Sequence, residues 1–374
     1  MKVFPRCHYK IDKIGCFSSS ATFPSFAENM RHIDQAVPIA SIQSTAVMAS
    51  SPSPLRDCGL DLNTVKLVAS CLYFVVFIPA LLLNVMAAWI SWHLKTKSSF
   101  VVYLKNLIAA DLLMSLIIPL KAASEIPGAP QALRKFACQF SSVVFYLSMY
   151  MSMILMGLIS LDRFFKIVQP AGKRVGHSVL FGRVVVITIW VLYLSINTIP
   201  TMVLTSEKPA NGTAELCMAM KNDLGKRYHK AVVIEGNVIF FTVLVVIGFC
   251  YTCIAKKVIE SYRNSGSTNV EGKRKIKARV FIVLVVFLVC FAPYHITRIP
   301  YVRRQVVNKI NCRWASLKVA KSLTLWLATT NVCLDPLIYI LLCKAFREKL
   351  YELRLFGYGL SKTAQENTED SSVS

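Results

Sequence analysis

The chain has 374 residues, 55% of them hydrophobic and 17% charged, with a mean hydropathy of +0.50. Soluble domains carry about 25% charged residues, so this composition leaves too little polar surface to wet a single globule and argues against a soluble enzyme. Lys and Arg number 43 against 20 Asp and Glu, a net charge of +23 that elsewhere marks nucleic-acid binding, so the placement of the cations decides the reading.

Residues 1–57 hold Ser, Pro, Ala and scattered charge, with no apolar run long enough for a signal-peptide core. They predict a disordered extracellular tail, with insertion directed by the first span. Seven apolar runs follow, at roughly 66–93, 100–120, 137–161, 179–204, 231–255, 280–302 and 319–343. Each is close to the length of about 20 residues that a helix needs to cross a hydrocarbon core. The second run is the weakest, because Lys105 and Asp111 fall inside it. In hydrocarbon every backbone polar group must be paired internally, so the runs predict an all-α, seven-transmembrane helix bundle over residues 58–343. Residues 344–356, KAFREKLYELRLF, put Phe346, Leu350 and Leu353 near one helical face among Lys and Arg, the pattern of a short interfacial amphipathic helix. Residues 357–374 are polar and acidic and predict a disordered cytoplasmic tail.

Orientation follows from the flanking cations. Close to the spans, the side that receives the C-terminus carries 19 basic residues and the N-terminal side 17, a thin bias that points to an outside N-terminus. Asn211-Gly-Thr, a glycosylation acceptor, falls on the same outer side. Cys58, Cys138, Cys217 and Cys312 also lie there, and an oxidising exterior predicts two disulfides among them, in any of three pairings. No Cys and His cluster has zinc spacing, and no nucleophile, base and orienting acid assemble at a recognisable spacing. Neither a cofactor nor an enzyme is expected.

The outer ends of spans 6 and 7 are where the excess charge concentrates. From Gly272 to Leu334 there is no acidic residue, while Arg298, Arg303, Arg304, Lys309, Arg313, Lys318 and Lys321 all occur there. A cation so close to hydrocarbon is costly unless it faces a wet cavity or a counter-ion. Residues three and four apart share a helix face, so Phe291, His295, Arg298 and Tyr301 form one stripe, Lys318 and Lys321 a second, and Phe145 or Tyr146 with Met149 or Tyr150 an aromatic third in span 3. Cations beside aromatic faces suit a ligand with phosphates and a flat ring. The loop cations Arg303, Arg304 and Lys309 are better read as solvated or next to lipid headgroups.

Motifs in each span carry a resemblance over about residues 58–356: Asn84 in LLLNVMAAW, Asp111 in NLIAADLLM, Asp162-Arg163-Phe164, Trp190, Tyr251, Cys290-Phe291-Ala292-Pro293 and Asp335-Pro336-Leu337-Ile338-Tyr339. Together they resemble rhodopsin-like (class A) G-protein-coupled receptors. FVVYLKNLIAADLLM, MGLISLDRFFKIV, APYHITRIPY and NVCLDPLIYILLC are similar to the metabotropic purinoceptors, specifically the inhibitory (Gi-type) subgroup answering ADP or UDP-sugars, and most of all to its ADP-responsive members.

The resemblance implies a multi-pass plasma-membrane receptor for an extracellular nucleotide, ADP first, which acts through a Gi-type G protein to lower cAMP and contacts membrane lipids but no nucleic acid. It implies ligand contacts at Arg298, Lys321, Tyr301, His295, Tyr146, Tyr150 and Lys221. It further implies a G-protein switch using Asp162, Arg163, Tyr251, Pro336 and Tyr339, and a sodium-holding polar set of Asp111, Asn84, Asn331 and Asp335. Arg163 needs a resting partner, and Asp162 beside it is the expected one, with release requiring spans 3 and 6 to separate. Phe291 stands where many relatives have Trp, and would report ligand position to Pro293, whose missing N–H allows a kink. The chain departs from the subgroup pattern at Gln131, Val233 and Ser322, the last replacing an acid beside Lys321. A UDP-sugar or another anion such as a lysophospholipid is the alternative ligand, and an anion transporter or channel the alternative class.

Overall fold

The computed structural model describes residues 61–169, 178–207, 216–264, 270–307, 312–342 and 346–352. The tails at 1–57 and 357–374, Cys58 and Asn211 lie outside the described residues.

Among the described residues seven helices are long and apolar enough to cross a membrane: α1 Leu62–His93, α2 Ser99–Glu125, α3 Gln131–Val168, α4 Val179–Val203, α5 Asp223–Ser261, α6 Ile282–Arg303 and α7 Cys312–Ile340. They coincide with the seven apolar runs of the sequence, and several extend beyond them by one or more turns. α1 starts where Asp61, in extended backbone, accepts hydrogen bonds from the amides of Asn63 (2.9 Å) and Thr64 (3.3 Å). Ser178 caps α4 in the same way, accepting from Phe181 N at 3.0 Å. Between α2 and α3 the chain reverses at Gly128, whose φ of 83° lies in the left-handed region that a side chain disfavours.

The outside of the bundle is apolar, and its largely apolar interior also holds buried polar side chains. Val75, Ile78 and Leu82 on α1, Ile187 and Val191 on α4, and Val245 and Phe249 on α5 are all exposed, whereas Asn84, Ser115, Ser152, Asp111 and Asp335 are buried. That arrangement is what a lipid solvent selects. α3 packs against α2 and α5, and α6 against α5 and α7, so α3 runs through the core of the bundle.

The breaks in the helices have identifiable partners. Pro336 has no N–H to offer the carbonyl of Val332, four residues earlier, and Asn84 Nδ2 fills that vacancy at 2.8 Å. Lys105, which weakened the second run as a span, donates to Leu94 O at 2.9 Å at the end of α2 away from the cavity described below. Two five-residue π-helical turns, Ala137–Ser141 in α3 and Leu194–Thr198 in α4, rotate their following segments and turn Cys138, Asn197 and Thr198 inward. Residues 346–352 are helical, and the fully buried Phe346 meets the Tyr339 ring at 6.1 Å, tying the start of that segment to α7.

Candidate functional site

The helix ends on the side where the chain enters α1 enclose a cavity of about 310 Å³. A disulfide between Cys138 on α3 and Cys217 in the segment after α4 forms part of its wall. This settles one of the three cysteine pairings the sequence left open. Cys312 is disulfide-bonded as well.

Arg298 on α6 stands in the middle of the cavity wall, 4% exposed. Its Nη1 donates to the Tyr150 hydroxyl, and its guanidinium lies 4.9 Å from the Tyr146 ring centre and 5.4 Å from that of Tyr294. Among the described residues no carboxylate lies within ion-pair reach of it. A buried cation held by ring faces and one phenol is attracted but not neutralised, so it keeps capacity for an anion. The same cage fixes the fork: Tyr150 is held between Tyr193 (6.1 Å) and His295 (5.9 Å), and Tyr146 stacks on Tyr294 at 6.4 Å.

Other cations arrive from every side: Lys66 from α1, Lys121 from α2, Lys221 from the segment before α5, and Lys318 and Lys321 from α7. The Lys321 ammonium lies 5.7 Å from the Tyr301 ring centre, and that of Lys318 lies 4.5 Å from Trp314. Lys221 is buried and donates to the Thr205 hydroxyl; desolvation lowers its pKa to about 8.

Of the residues expected to touch ligand, Arg298, Lys321, Tyr301, Tyr146, Tyr150 and Lys221 converge on this cavity. His295 does not line it. It is fully buried below Arg298, stacked on Phe240 at 4.3 Å, with its Nδ1 hydrogen-bonded to Phe291 O at 2.8 Å. The helical stripe of the sequence therefore divides, its outer half facing the cavity and its inner half the aromatic packing beneath. Sequence reasoning missed the ion pair of Lys121 and Glu125. Both lie at i, i+4 on the last turn of α2, and intramembrane charges face bundle interiors, which was signal enough to find them. Glu125 also corrects the expectation of a mouth without acids: the stretch 272–334 has none, but α2 supplies one from far away in sequence.

Deeper in the bundle, Tyr339 donates to Asp111, while Ser152 (3.2 Å) and Asn331 (2.7 Å) both donate to Asp335 Oδ2. Asn84, Asn331 and Asp335 each keep a buried Oδ1 without a hydrogen-bond partner. Hard oxygen donors beside two carboxylates fit a small cation such as sodium. Towards the opposite end of the bundle, the Asp162–Arg163 pairing is not found. Asp162 instead accepts from Ser99 Oγ and Lys166 Nζ, both at 2.7 Å, and the Arg163 guanidinium stacks 3.8 Å over the Phe100 ring centre. Adjacent residues on a helix diverge by about 100°, and here the two side chains take different faces, whereas Lys166 at i+4 shares the face of Asp162. Tyr251 and Tyr339 are both buried and line a small apolar cavity of about 20 Å³ with Phe100.

Residues 83–339 match the family described as 7 transmembrane receptor (rhodopsin family). The chain is 42% identical to purinoceptor 13 of Homo sapiens over 311 residues, 83% of this chain and 87% of the relative. It is 44% identical to purinoceptor 13 of Rattus norvegicus over 335 residues, 89% and 97% of the two chains. To purinoceptor 14 of Bos taurus it is 37% identical over 302 residues, 80% and 89% of the two chains.

Proposed function

Because the chain belongs to the rhodopsin-like seven-transmembrane receptors, and within them groups with the purinoceptors, we propose that it answers an extracellular nucleotide, ADP, and signals through a Gi-type G protein to lower cAMP. Membership in a receptor family makes it neither an enzyme nor a transporter. The observation that carries the ligand reading is Arg298: buried, caged by tyrosines, with no ion-paired carboxylate among the described residues, in a cavity lined by five further cations. The Arg fork and Lys321 suit a diphosphate, and Tyr146 and Tyr301 offer ring faces to a base. In this reading the N-terminus is extracellular and the cavity opens outward.

Asp111, Asn84, Asn331 and Asp335 would hold sodium, which supplies a counter-charge between the two carboxylates. At the far end, Asp162, Arg163, Tyr251, Pro336 and Tyr339 respond when α3 and α6 part. In this state Arg163 stacks on Phe100 and Asp162 is paired with Lys166 instead.

The test is a panel of ADP, ATP, UDP, UDP-sugars and lysophospholipids in a cAMP-inhibition assay on cells expressing the full chain, with and without pertussis toxin. ADP acting first, and losing its effect under the toxin, supports both halves; a response confined to a UDP-sugar or a lysophospholipid replaces the ligand, and a toxin-insensitive response replaces the G protein.

The pH dependence follows from Lys221. With a pKa of about 8 it is mostly protonated at pH 7 and mostly neutral at pH 9, and only the protonated form attracts phosphate. Nucleotide affinity therefore falls as pH rises, by up to about tenfold between pH 7 and 9. Lys221→Arg keeps its charge throughout and flattens the profile; equilibrium binding on membranes at the two pH values reads it, and an equally steep profile in Lys221→Arg defeats the assignment.

A further inference from the structure

The Lys and Arg side chains of the cavity come from α1, α2, α6, α7 and the segment before α5, whereas α3 and α4 line it with uncharged side chains among the described residues. On α4 these are Tyr193, Asn197, Thr198 and Thr201, and the Tyr193 ring lies 6.1 Å from that of Tyr150, to which Arg298 donates. A ligand that sets its phosphates against the cations therefore meets a neutral, aromatic and hydrogen-bonding wall with its flat part. Asn197 brings the one side-chain amide to the cavity among the described residues. It is 5% exposed, and the π-helical turn Leu194–Thr198 carries it to the wall. Its backbone is held on both sides: Tyr228 on α5 donates to Ile196 O, and Thr201 Oγ1 donates to Asn197 O at 2.6 Å. Its side chain is held as well, because Nδ2 donates to Glu235 Oε2 on α5 at 2.7 Å. A carboxylate offers only lone pairs, so it takes the NH2 end of an amide and turns away the oxygen. An Asn without such a partner exchanges its two ends by a half-turn and reads either polarity, whereas Asn197 shows Oδ1 and its remaining N–H in a fixed order.

We propose that Asn197, its amide oriented by Glu235, is a specificity-determining residue that reads the base of a bound nucleotide and selects a 6-amino purine over a 6-oxo purine. The inference rests on the nucleotide reading above. Adenine offers the N–H of its 6-amino group beside a ring nitrogen that accepts, which complements an amide that accepts through Oδ1 and donates through Nδ2. Hypoxanthine has an oxygen in place of that amino group, so acceptor meets acceptor. The half-turn of the amide that would relieve the clash sets Oδ1 against the Glu235 carboxylate. The carboxylate also polarises the amide and strengthens Oδ1 as an acceptor, which favours the amino group further. A correctly ordered pair of this kind discriminates by about tenfold to a hundredfold. Specificity then resides in the pair rather than in Asn197 alone, because Glu235 turns an adaptable amide into one of fixed polarity.

Competition binding of ADP and its 6-oxo analogue IDP to the purified full-length receptor in lipid nanodiscs tests this. Wild type prefers ADP by about tenfold or more. Asn197→Ala weakens ADP about tenfold and brings the two affinities close together. Glu235→Gln carries the sharper expectation: a Gln amide both accepts and donates, so either end of Asn197 has a partner, and IDP affinity rises about tenfold while ADP stays within about threefold. That variant keeps a hydrogen bond between α4 and α5, so the test stays decisive where Asn197→Ala fails to fold. A tie that only holds α4 to α5 predicts an equal shift for both nucleotides in Glu235→Gln, or none, and either result overturns the inference, as does a wild type that binds ADP and IDP alike. A wild type that binds neither nucleotide removes the nucleotide reading and the inference together, whereas one that prefers ADP by a ratio untouched in both variants removes the inference alone.

Discussion

Arg298→Ala lowers agonist potency about a hundredfold or more in the cAMP-inhibition assay while leaving surface expression near that of wild type. A charge-assisted hydrogen bond in a site sheltered from water is worth about 1.5–3 kcal/mol, and an Arg fork makes two of them to phosphate. Loss of about 3 kcal/mol corresponds to roughly a hundredfold in affinity. Expression survives for a separate reason. Arg298 makes no ion pair with any described residue, so its removal strands no opposite charge, and taking an unneutralised cation out of a buried site relieves desolvation cost as well as losing ring contacts. Arg298→Lys falls between, since the charge stays and the fork goes. Lys321→Ala costs less, about tenfold, because Lys321 is only half-buried and Lys318 and Lys66 line the same cavity. Full potency in both alanine variants removes the anionic-ligand reading.

Much of this architecture was written in the order of residues. Seven apolar runs became seven helices because hydrocarbon leaves the backbone no other way to pair its polar groups. Even the weak second run formed a helix: Lys105 reaches a carbonyl of the preceding loop and Asp111 meets Tyr339, so neither charge faces lipid. The stripes at i, i+3 and i+4 located Arg298, Tyr301, Tyr146, Tyr150 and Lys321 on one cavity. What failed were the inferences that used sequence distance in place of space. Asp162 and Arg163 are neighbours in the chain and point apart in the helix. Glu125 is about 170 residues from Arg298 in sequence and lines the same cavity, so an acid-free stretch did not make an acid-free site. The bond from Asn84 to the carbonyl stranded by Pro336 spans 248 residues, and no local pattern announces it.

The cage around Arg298 also depends on an atom that is missing. Gly236 on α5 passes so close to Tyr150 that a Cβ built there overlaps the Tyr150 hydroxyl and Cζ and comes within 3.1 Å of Cε1. Tyr150 is 1% exposed, with Tyr193 and His295 against its ring, so it cannot swing aside without disturbing both. Gly→Ala in a helix otherwise stabilises by about 1 kcal/mol, whereas overpacking a tight core costs about 1–3 kcal/mol. The sign of the effect therefore reports the contact. Gly236→Ala displaces Tyr150, breaks its bond to Arg298 and lets the guanidinium leave the geometry that meets phosphate. The expected result is a loss of agonist potency of about tenfold to a hundredfold together with a lowered Tm of the purified receptor. Removing the hydroxyl takes away the nearest clashing atom, so Gly236→Ala costs less in a Tyr150→Phe background than in wild type, and the two substitutions are non-additive in a double-mutant cycle. A Gly236→Ala receptor with raised Tm and full potency would show that α5 stands off from Tyr150, and the cage would then need another account of what holds its phenol against Arg298.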